Sequence, residues 1–343
     1  MNRFIYVAFS IILLFFLNNM YINSDYITVI VGSFIFPILF LFFLQRIDVF
    51  EREKFKDIFF VFMFGVVVSA ILTIPYVPIR DYIVQDSPCS NVIICFLSVA
   101  LPEEIIKIIP FIAVLKYRKF VDEPIDYLIY ASASALGFAF MENITYISNM
   151  YDLGSIVALR SFLPLVMHMV TSSVFAFGIF LYMNSRKTKY IFFGLIMASI
   201  LHATYNALDI IGIVILIFMI IYYARFIQSL LNISPFYDKS KENDIHSASN
   251  FLLYIILSVI ILDFLYDIYH NGIAGFFVNP ARYFIILGIA FAIYKIISSK
   301  LSLKQANFIA LGTRKTNYKI IIEMQDIIIN YYKNYRNKSK YYN

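Results

Sequence analysis

The stretch VIICFLSVALPEEIIKIIPFIAVL, residues 92–115, decides the fold, because it is apolar enough to cross a bilayer and yet contains three ionisable side chains. Glu103 and Glu104 are adjacent in the middle of this stretch, and Lys107 follows within one helical turn. An ionisable side chain at mid-membrane costs about 2.5–3.5 kcal/mol on insertion scales. Three such side chains in one span predict a functional site inside the membrane.

The composition of the 343-residue chain, 61% hydrophobic and 15% charged, is typical of a protein that crosses the membrane many times. Apolar runs of about 17–25 residues predict an all-α transmembrane helix bundle. We expect about ten spans, beginning near residues 3, 26, 58, 92, 126, 157, 190, 209, 251 and 281.

The distribution of Lys and Arg predicts how the chain is oriented. Basic residues cluster at 46–56, 116–119, 186–189 and 225–241, whereas 18–25, 146–155 and 271–279 contain none. This alternation predicts that both termini lie in the cytoplasm. It also accounts for the net charge of +6 without nucleic acid as a partner.

The chain divides into four parts. We interpret residues 1–230 as a membrane-embedded core of eight spans, 231–250 as a cytoplasmic linker, 251–298 as two further spans and 299–343 as a basic cytoplasmic tail. Within the tail, residues 318–332 have the pattern of an amphipathic helix that lies on anionic lipid, although a solvated tail explains the charges equally well.

Polar residues in four different spans lie at one predicted depth. Glu103 lies 13 residues before Lys116, and His202 lies 13 residues after Lys189. Glu142 and His168 are at similar distances from the ends of their own spans. At a rise of about 1.5 Å per residue, all four lie about 20–27 Å from the cytoplasmic side. We therefore expect one buried polar cluster between the helices, nearer the outer leaflet.

Helical spacing predicts contacts within this cluster. Glu103 and Lys107 are four residues apart and can pair, which would leave Glu104 free for chemistry. His202 and Asn206 have the same spacing and could hold a water or an oxyanion. Pro102 and Pro110 lie on either side of the Glu pair, and proline inside a span bends the helix beside a cavity.

Two further features bear on packing. The fifth predicted span contains ASASALG, residues 131–137, whose small side chains predict close contact with neighbouring helices. The two cysteines, Cys89 and Cys95, fit neither a disulfide framework nor a metal knuckle, but a single bridge near one membrane face is compatible with their spacing.

Five motifs, taken together and in order, resemble the PrsW intramembrane proteases, which are relatives of the CAAX-prenyl endopeptidase and bacteriocin-processing (Abi) group. The motifs are PEEIIK (102–107), DEPID (122–126), GFAFMEN (137–143), His168 and HATYNALD (202–209). The resemblance covers about residues 26–225. It implies a protease in the cytoplasmic membrane that cleaves a membrane-anchored protein near the external face, with an anti-sigma factor as one candidate substrate.

The same resemblance implies which residues form the active site: Glu103, Glu104, Glu142, His168, His202 and Asn206. One Glu of the pair would act as general base on a water, and His202 and Asn206 would stabilise the oxyanion. Two mechanisms stay open. His168, His202 and Glu104 can supply three ligands of a catalytic zinc, while two histidines from separate spans fit a metal-free glutamate mechanism equally well.

Two other classes of function fit a buried cluster of this kind. Carboxylates with Lys and His also form proton or cation pathways in transporters, although the inverted repeats typical of many transporters are not visible here. A noncatalytic membrane protein, of the kind that confers immunity to a bacteriocin, is the third hypothesis. Loss of a catalytic Glu would leave the effect of such a protein intact.

Overall fold

The computed structural model describes residues 26–84, 89–117, 120–148, 156–241, 244–257, 261, 323–324 and 326–331. These residues form helices and connecting turns, and none of them is in a strand. The predicted all-α fold is confirmed.

The described bundle consists of helices that follow one another along the chain. They are α1 (Tyr26–Ile47), α2 (Phe55–Ile83), α3 (Val92–Cys95), α4 (Leu101–Tyr117), α5 (Pro124–Ser148), α6 (Ile156–Ser185), α7 (Lys189–Ala207) and α8 (Asp209–Asn232). A π-helical turn, Phe96–Ala100, joins α3 to α4 without a break. Residues 244–257 are also helical, so helix begins within the segment that we interpreted as a linker.

Helices begin within three residues of the predicted span starts near 26, 58, 92, 126, 157, 190 and 209. Among the described residues, five segments are long and apolar enough to cross a membrane: Phe55–Ile83, Pro124–Thr145, Leu163–Ser185, Lys189–Ala207 and Val214–Asn232. The spans expected near residues 3 and 281 lie outside the described residues, and the span near 251 is described only in part. The total of ten spans and the position of the termini stay predictions.

Helix α5 lies in the middle of the bundle and contacts α1, α2, α4, α6 and α8. Small residues allow α2 and α5 to approach closely. A Cβ atom added to Gly65 would lie 2.5 Å from the carbonyl oxygen of Ser134, and one added to Gly137 would overlap the carbonyl oxygen of Phe62. The close contact predicted for residues 131–137 is therefore confirmed.

Helices α6 and α7 cross at a second glycine contact. A Cβ atom on Gly178 would lie 2.5 Å from the carbonyl oxygen of Tyr190 and 3.0 Å from the Cα atom of Gly194. The two backbones touch here with no side chain between them. This contact fixes the relative position of the two helices that carry His168 and His202.

The bundle has two distinct ends. At one end, which we call the loop end, are the connecting segments 48–54, 120–123, 186–188 and 233–238. Hydrogen bonds join these segments, for example from the Ser234 hydroxyl to Glu123 and from the Lys241 ammonium to the carbonyl of Phe50. At the opposite end, a disulfide joins Cys89 to Cys95.

Described residues of the C-terminal tail pack against the loop end. Met324 and Ile328 are buried, and Glu323 pairs with Lys187 and Lys189. The ring of Tyr331 contacts Phe180. The apolar side of this helical segment therefore lies on the bundle, and contact of the tail with anionic lipid stays a prediction.

Replacement of Gly137 by valine is expected to lower the free energy of unfolding by about 1–3 kcal/mol, because the new side chain meets the backbone of α2. Thermal unfolding of the purified protein in detergent, followed by circular dichroism, measures the change. Val67→Leu, on the exposed side of α2, is the control and should alter stability by less than about 0.5 kcal/mol. A Gly137→Val protein as stable as the wild type would contradict the close contact of α2 and α5.

Candidate active site

The polar cluster predicted inside the membrane is present, and four helices build it. Helix α4 carries Glu103, Glu104 and Lys107, while Glu142 comes from α5, His168 from α6 and His202 from α7. Glu103, Glu104, Lys107, His168 and His202 are all buried. The four residues that residue counts put at one level, Glu103, Glu142, His168 and His202, lie close together, and Glu104 lies beside them.

The backbone before the Glu pair is irregular, which is a local consequence of Pro102. Proline has no N–H to donate to the carbonyl of Ser98 four residues earlier. The hydroxyl of Tyr76, on α2, donates to that carbonyl instead. In the same region the N–H of Leu101 bonds to Phe96 in the π-helical pattern. The π turn thus lies immediately before Glu103, and such turns are frequent at functional sites.

Lys107 lies at the centre of the cluster. Its ammonium nitrogen, Nζ, is 2.5 Å from Glu104 Oε1, 2.8 Å from His168 Nδ1 and 3.4 Å from His202 Nδ1. Nζ also lies 5.2 Å from the centre of the Phe138 ring. The expectation that Lys107 pairs with Glu103 is therefore wrong, because its partner is Glu104, three residues away on the same helix.

Glu104 is the most extensively hydrogen-bonded of the acids. Besides Lys107, its Oε1 accepts from the Thr171 hydroxyl at 2.8 Å and lies 3.0 Å from His202 Nδ1. Its Oε2 accepts from Ser172 at 3.4 Å. A carboxylate that is fully buried and bonded to a cation on one side needs such donors to offset its desolvation. Glu104 therefore acts as an anchor that positions its neighbours.

These contacts assign the protons on both imidazoles. Because the ammonium of Lys107 can only donate, His168 Nδ1 is an acceptor and its Nε2–H donates to Glu142 Oε2 at 2.7 Å. The nearer neighbour of His202 Nδ1 is the acceptor Glu104 Oε1, at 3.0 Å against 3.4 Å for Lys107 Nζ, so Nδ1 donates to Glu104 and Nε2 has a free lone pair. The two histidines therefore carry opposite tautomers.

Glu103 differs from Glu104 because one of its carboxylate oxygens accepts no hydrogen bond. Its Oε2 and His202 Nε2 are both buried and have no hydrogen-bond partner, and they lie 3.6 Å apart. The ligand atoms of Glu103, His168 and His202 lie within 4.8 Å of one another. Among the described residues, the histidines are thus grouped with Glu103, where sequence reasoning expected Glu104 as the third metal ligand.

Asn206 lies one turn after His202, near the end of α7, and its side chain is exposed. It therefore lies at the rim of the cluster, whereas His202 is inside it. Three residues that sequence reasoning did not select also line the cluster: Thr171, Ser172 and Phe138, whose ring packs edge-on against His168. The run Thr171-Ser172-Ser173, inside an otherwise apolar helix, was a signal for the first two.

Comparison with known proteins adds independent information. The chain matches the model of a family described as PrsW family intramembrane metalloprotease over residues 53–228. It is similar to "Protease PrsW" of Geobacillus kaustophilus (strain HTA426), with 31% identity over 163 residues, which are 46% of this chain and 69% of that protein. No solved structure matches the chain. All six residues of the predicted site lie within the matched range.

Lys107→Met is expected to destabilise the protein by about 3–5 kcal/mol, because it leaves the buried carboxylate of Glu104 without its cation. Lys107→Met combined with Glu104→Gln should recover a large part of this loss, since no uncompensated charge is then buried. Thermal unfolding in detergent measures both variants. Lys116→Met, an exposed lysine on the same helix, is the control, and equal effects at Lys107 and Lys116 would contradict the buried pair.

Proposed function

The chain belongs to the PrsW family of intramembrane proteases, and on this premise we propose that it hydrolyses a peptide bond of a membrane-anchored protein near the external face of the cell membrane, with Glu103 as the general base. One observation carries the proposal: Glu103 Oε2 and His202 Nε2 face each other at 3.6 Å, each without a hydrogen-bond partner. A water at about 2.8 Å from both atoms would supply the missing hydrogen-bond partner of each.

The proposed roles follow from the hydrogen bonds. His202 Nε2, held as an acceptor by the bond from Nδ1 to Glu104, orients the water together with Glu103. Glu103 takes a proton from the water while the water oxygen attacks the substrate carbonyl. Glu103 later returns that proton to the leaving amine. Because His202 Nε2 carries no proton, we assign the donor to the oxyanion to Asn206, whose amide is at the exposed rim.

Glu142 and His168 have a supporting role in this scheme. The hydrogen bond from His168 Nε2 to Glu142 fixes the ring, and Lys107 holds the opposite nitrogen. The side chain of Glu142 is 20% exposed, whereas that of Glu104 is fully buried. Glu142 therefore lies between the interior of the cluster and its rim, where it can contact an incoming substrate.

The residues also fit a zinc ion, as the description of the family as metalloproteases implies. The orphaned Glu103 Oε2 and His202 Nε2 are suitable donor atoms. His168 would complete a set of three protein ligands once one of its nitrogens gave up its present partner, Lys107 or Glu142. The hydrogen bond from His202 Nδ1 to Glu104 has the form of the carboxylate–histidine contacts that orient metal ligands. Zinc in this position would lower the pKa of a bound water and polarise the substrate carbonyl.

The disulfide supports cleavage near the external face. Cys89 and Cys95 pair at the end of the bundle opposite the loop end, and Cys95 is followed directly by the π turn that leads to Glu103. Disulfides persist in oxidising compartments outside the cytosol. An orientation with this end outside agrees with the arrangement of basic loops in the sequence.

Loss of either unpaired atom should abolish proteolysis. Glu103→Gln and His202→Ala are expected to lower the turnover of a single-span substrate in proteoliposomes by about 10²–10⁴-fold, the usual contribution of general acid–base catalysis. An anti-sigma factor with one span is the first substrate to test. Asp81→Asn, which removes an exposed carboxylate of α2, is the control and should cleave like the wild type.

The same assay separates the other two hypotheses. If no form of the folded protein cleaves any of several single-span substrates, while Glu103→Gln abolishes proton-coupled uptake, the cluster belongs to a transporter. A noncatalytic immunity protein predicts that Glu103→Gln retains its full protective effect.

The metal requirement can be decided by measuring zinc and activity in the same samples. If zinc takes part, we expect about one zinc per wild-type chain by mass spectrometry, loss of this zinc in His202→Ala, and chelator inhibition that zinc reverses. Full cleavage by zinc-free protein would instead establish the glutamate mechanism. Asn206→Ala, which changes no proposed ligand, should keep its zinc and lose activity.

A further inference from the structure

A second group of buried acids lies at the loop end, far from the active site. Asp48 follows α1, and Glu123 and Asp126 lie at the start of α5. Each of these three residues is at most 1% exposed, and their carboxylate oxygens lie within 4.8 Å of one another. We call Asp48, Glu123 and Asp126 the loop-end carboxylates. None of them takes part in the proposed proteolysis.

Backbone hydrogen bonds hold two of these carboxylates in place. Asp48 Oδ2 accepts from the N–H of Glu53 at 2.8 Å, and its Oδ1 accepts a longer bond, 3.3 Å, from Glu51. Asp126 Oδ2 accepts from the N–H groups of Asp122 and Glu123, both at 2.9 Å. The positions of the acids are thus set by the loop backbone, which overcomes the repulsion between them.

One carboxylate oxygen of Glu123 accepts no hydrogen bond. Its Oε2 accepts from the hydroxyl of Ser234, the second residue after α8. Its Oε1 is buried and has no hydrogen-bond partner among the described residues. A buried carboxylate oxygen without a donor is costly unless a positive charge or a proton comes to it.

The surroundings of the loop-end carboxylates increase the negative charge. Glu51, Glu53 and Asp122 are close enough to raise the pKa of neighbouring acids by their own charge. Among the described residues, none of the six acids forms an ion pair with Lys or Arg. Lys241 approaches Glu51, but its ammonium group donates to the carbonyl of Phe50.

The titration of these groups agrees with a shortage of positive charge. Burial, followed by the charge of Asp48, raises the pKa of Glu123 to about 9. Burial also raises the pKa of Asp48 to about 6 and that of Glu53 to about 7. At neutral pH the carboxyl group of Glu123, with its raised pKa, holds a proton unless a cation replaces it.

We propose that Asp48, Glu123 and Asp126, with the hydroxyl of Ser234 beside them, bind a hard divalent cation of the Ca²⁺ or Mg²⁺ class. The donors are all oxygen atoms, which these cations prefer. The active-site cluster offers two imidazole nitrogens and therefore suits zinc. The cation would connect the segment after α1, the start of α5 and the segment after α8, three parts of the chain that are distant in sequence.

The experiment is calorimetric titration of chelator-treated, full-length protein in detergent with CaCl₂, MgCl₂ and MnCl₂ at pH 8. We expect one saturable site for at least one of these ions and a rise in Tm of about 5 °C at saturation. Affinity should fall at least tenfold between pH 8 and pH 6, because protons compete for acids whose pKa is raised. No binding by folded wild-type protein at pH 8 would overturn the proposal and show that the acids share protons.

Variants locate the site. Asp48→Asn and Glu123→Gln are expected to weaken binding at least tenfold, while Asp238→Asn, an exposed acid of the same loop end, binds like the wild type. Glu103→Gln should also bind normally, which separates this site from the active site. Unchanged binding in folded Asp48→Asn or Glu123→Gln would place the cation elsewhere and overturn the proposal. If neither variant folds, the rise in the Tm of the wild type and its pH dependence decide the outcome.

Discussion

Water cannot reach the buried ammonium group of Lys107, so the protein must supply its hydrogen-bond acceptors. This requirement holds four helices together. The acceptors of Lys107 are Glu104 on its own helix and His168 on α6, the face of Phe138 on α5 lies nearby, and Glu104 in turn holds His202 on α7. Each partner offsets part of the desolvation of the charge. Moving any of these helices would leave a buried charge uncompensated, so the electrostatics of one side chain and the packing of the bundle are inseparable.

Much of the site could be predicted because burial of polar groups in a membrane is costly and residue counts convert directly into depth. This reasoning brought Glu103, Glu142, His168 and His202 to one level, as the structure does. Small residues before Gly137 likewise predicted the close approach of α5. The pairing of Lys107 was mispredicted because residues three and four apart both reach it on a helix. The structure decides in favour of Glu104, which also accepts hydrogen bonds from Thr171, Ser172 and His202.

Other features depend on contacts between distant parts of the chain and leave little trace in the sequence. The π turn before Glu103 is coupled to Tyr76 on a different helix, and a proline alone does not reveal which hydroxyl will replace its missing donor. The acids of the loop end read as solvated loop residues, since alternating charges are usually exposed. Their burial becomes visible only when the end of α1, the start of α5 and the end of α8 lie beside one another.

Because α6 and α7 touch at the glycine contact, a change in their crossing angle would displace each residue in proportion to its distance from that contact. His168 lies ten residues from Gly178 and His202 eight residues from Gly194, or about 15 Å and 12 Å along their helix axes. A change of about 5° in the crossing angle would move each imidazole by about 1 Å over such a distance. Misplacement on this scale can reduce an enzymatic rate about 10²-fold. The close glycine contact therefore limits how far the crossing angle can vary while the two histidine rings still act together. Their ring centroids are 5.2 Å apart.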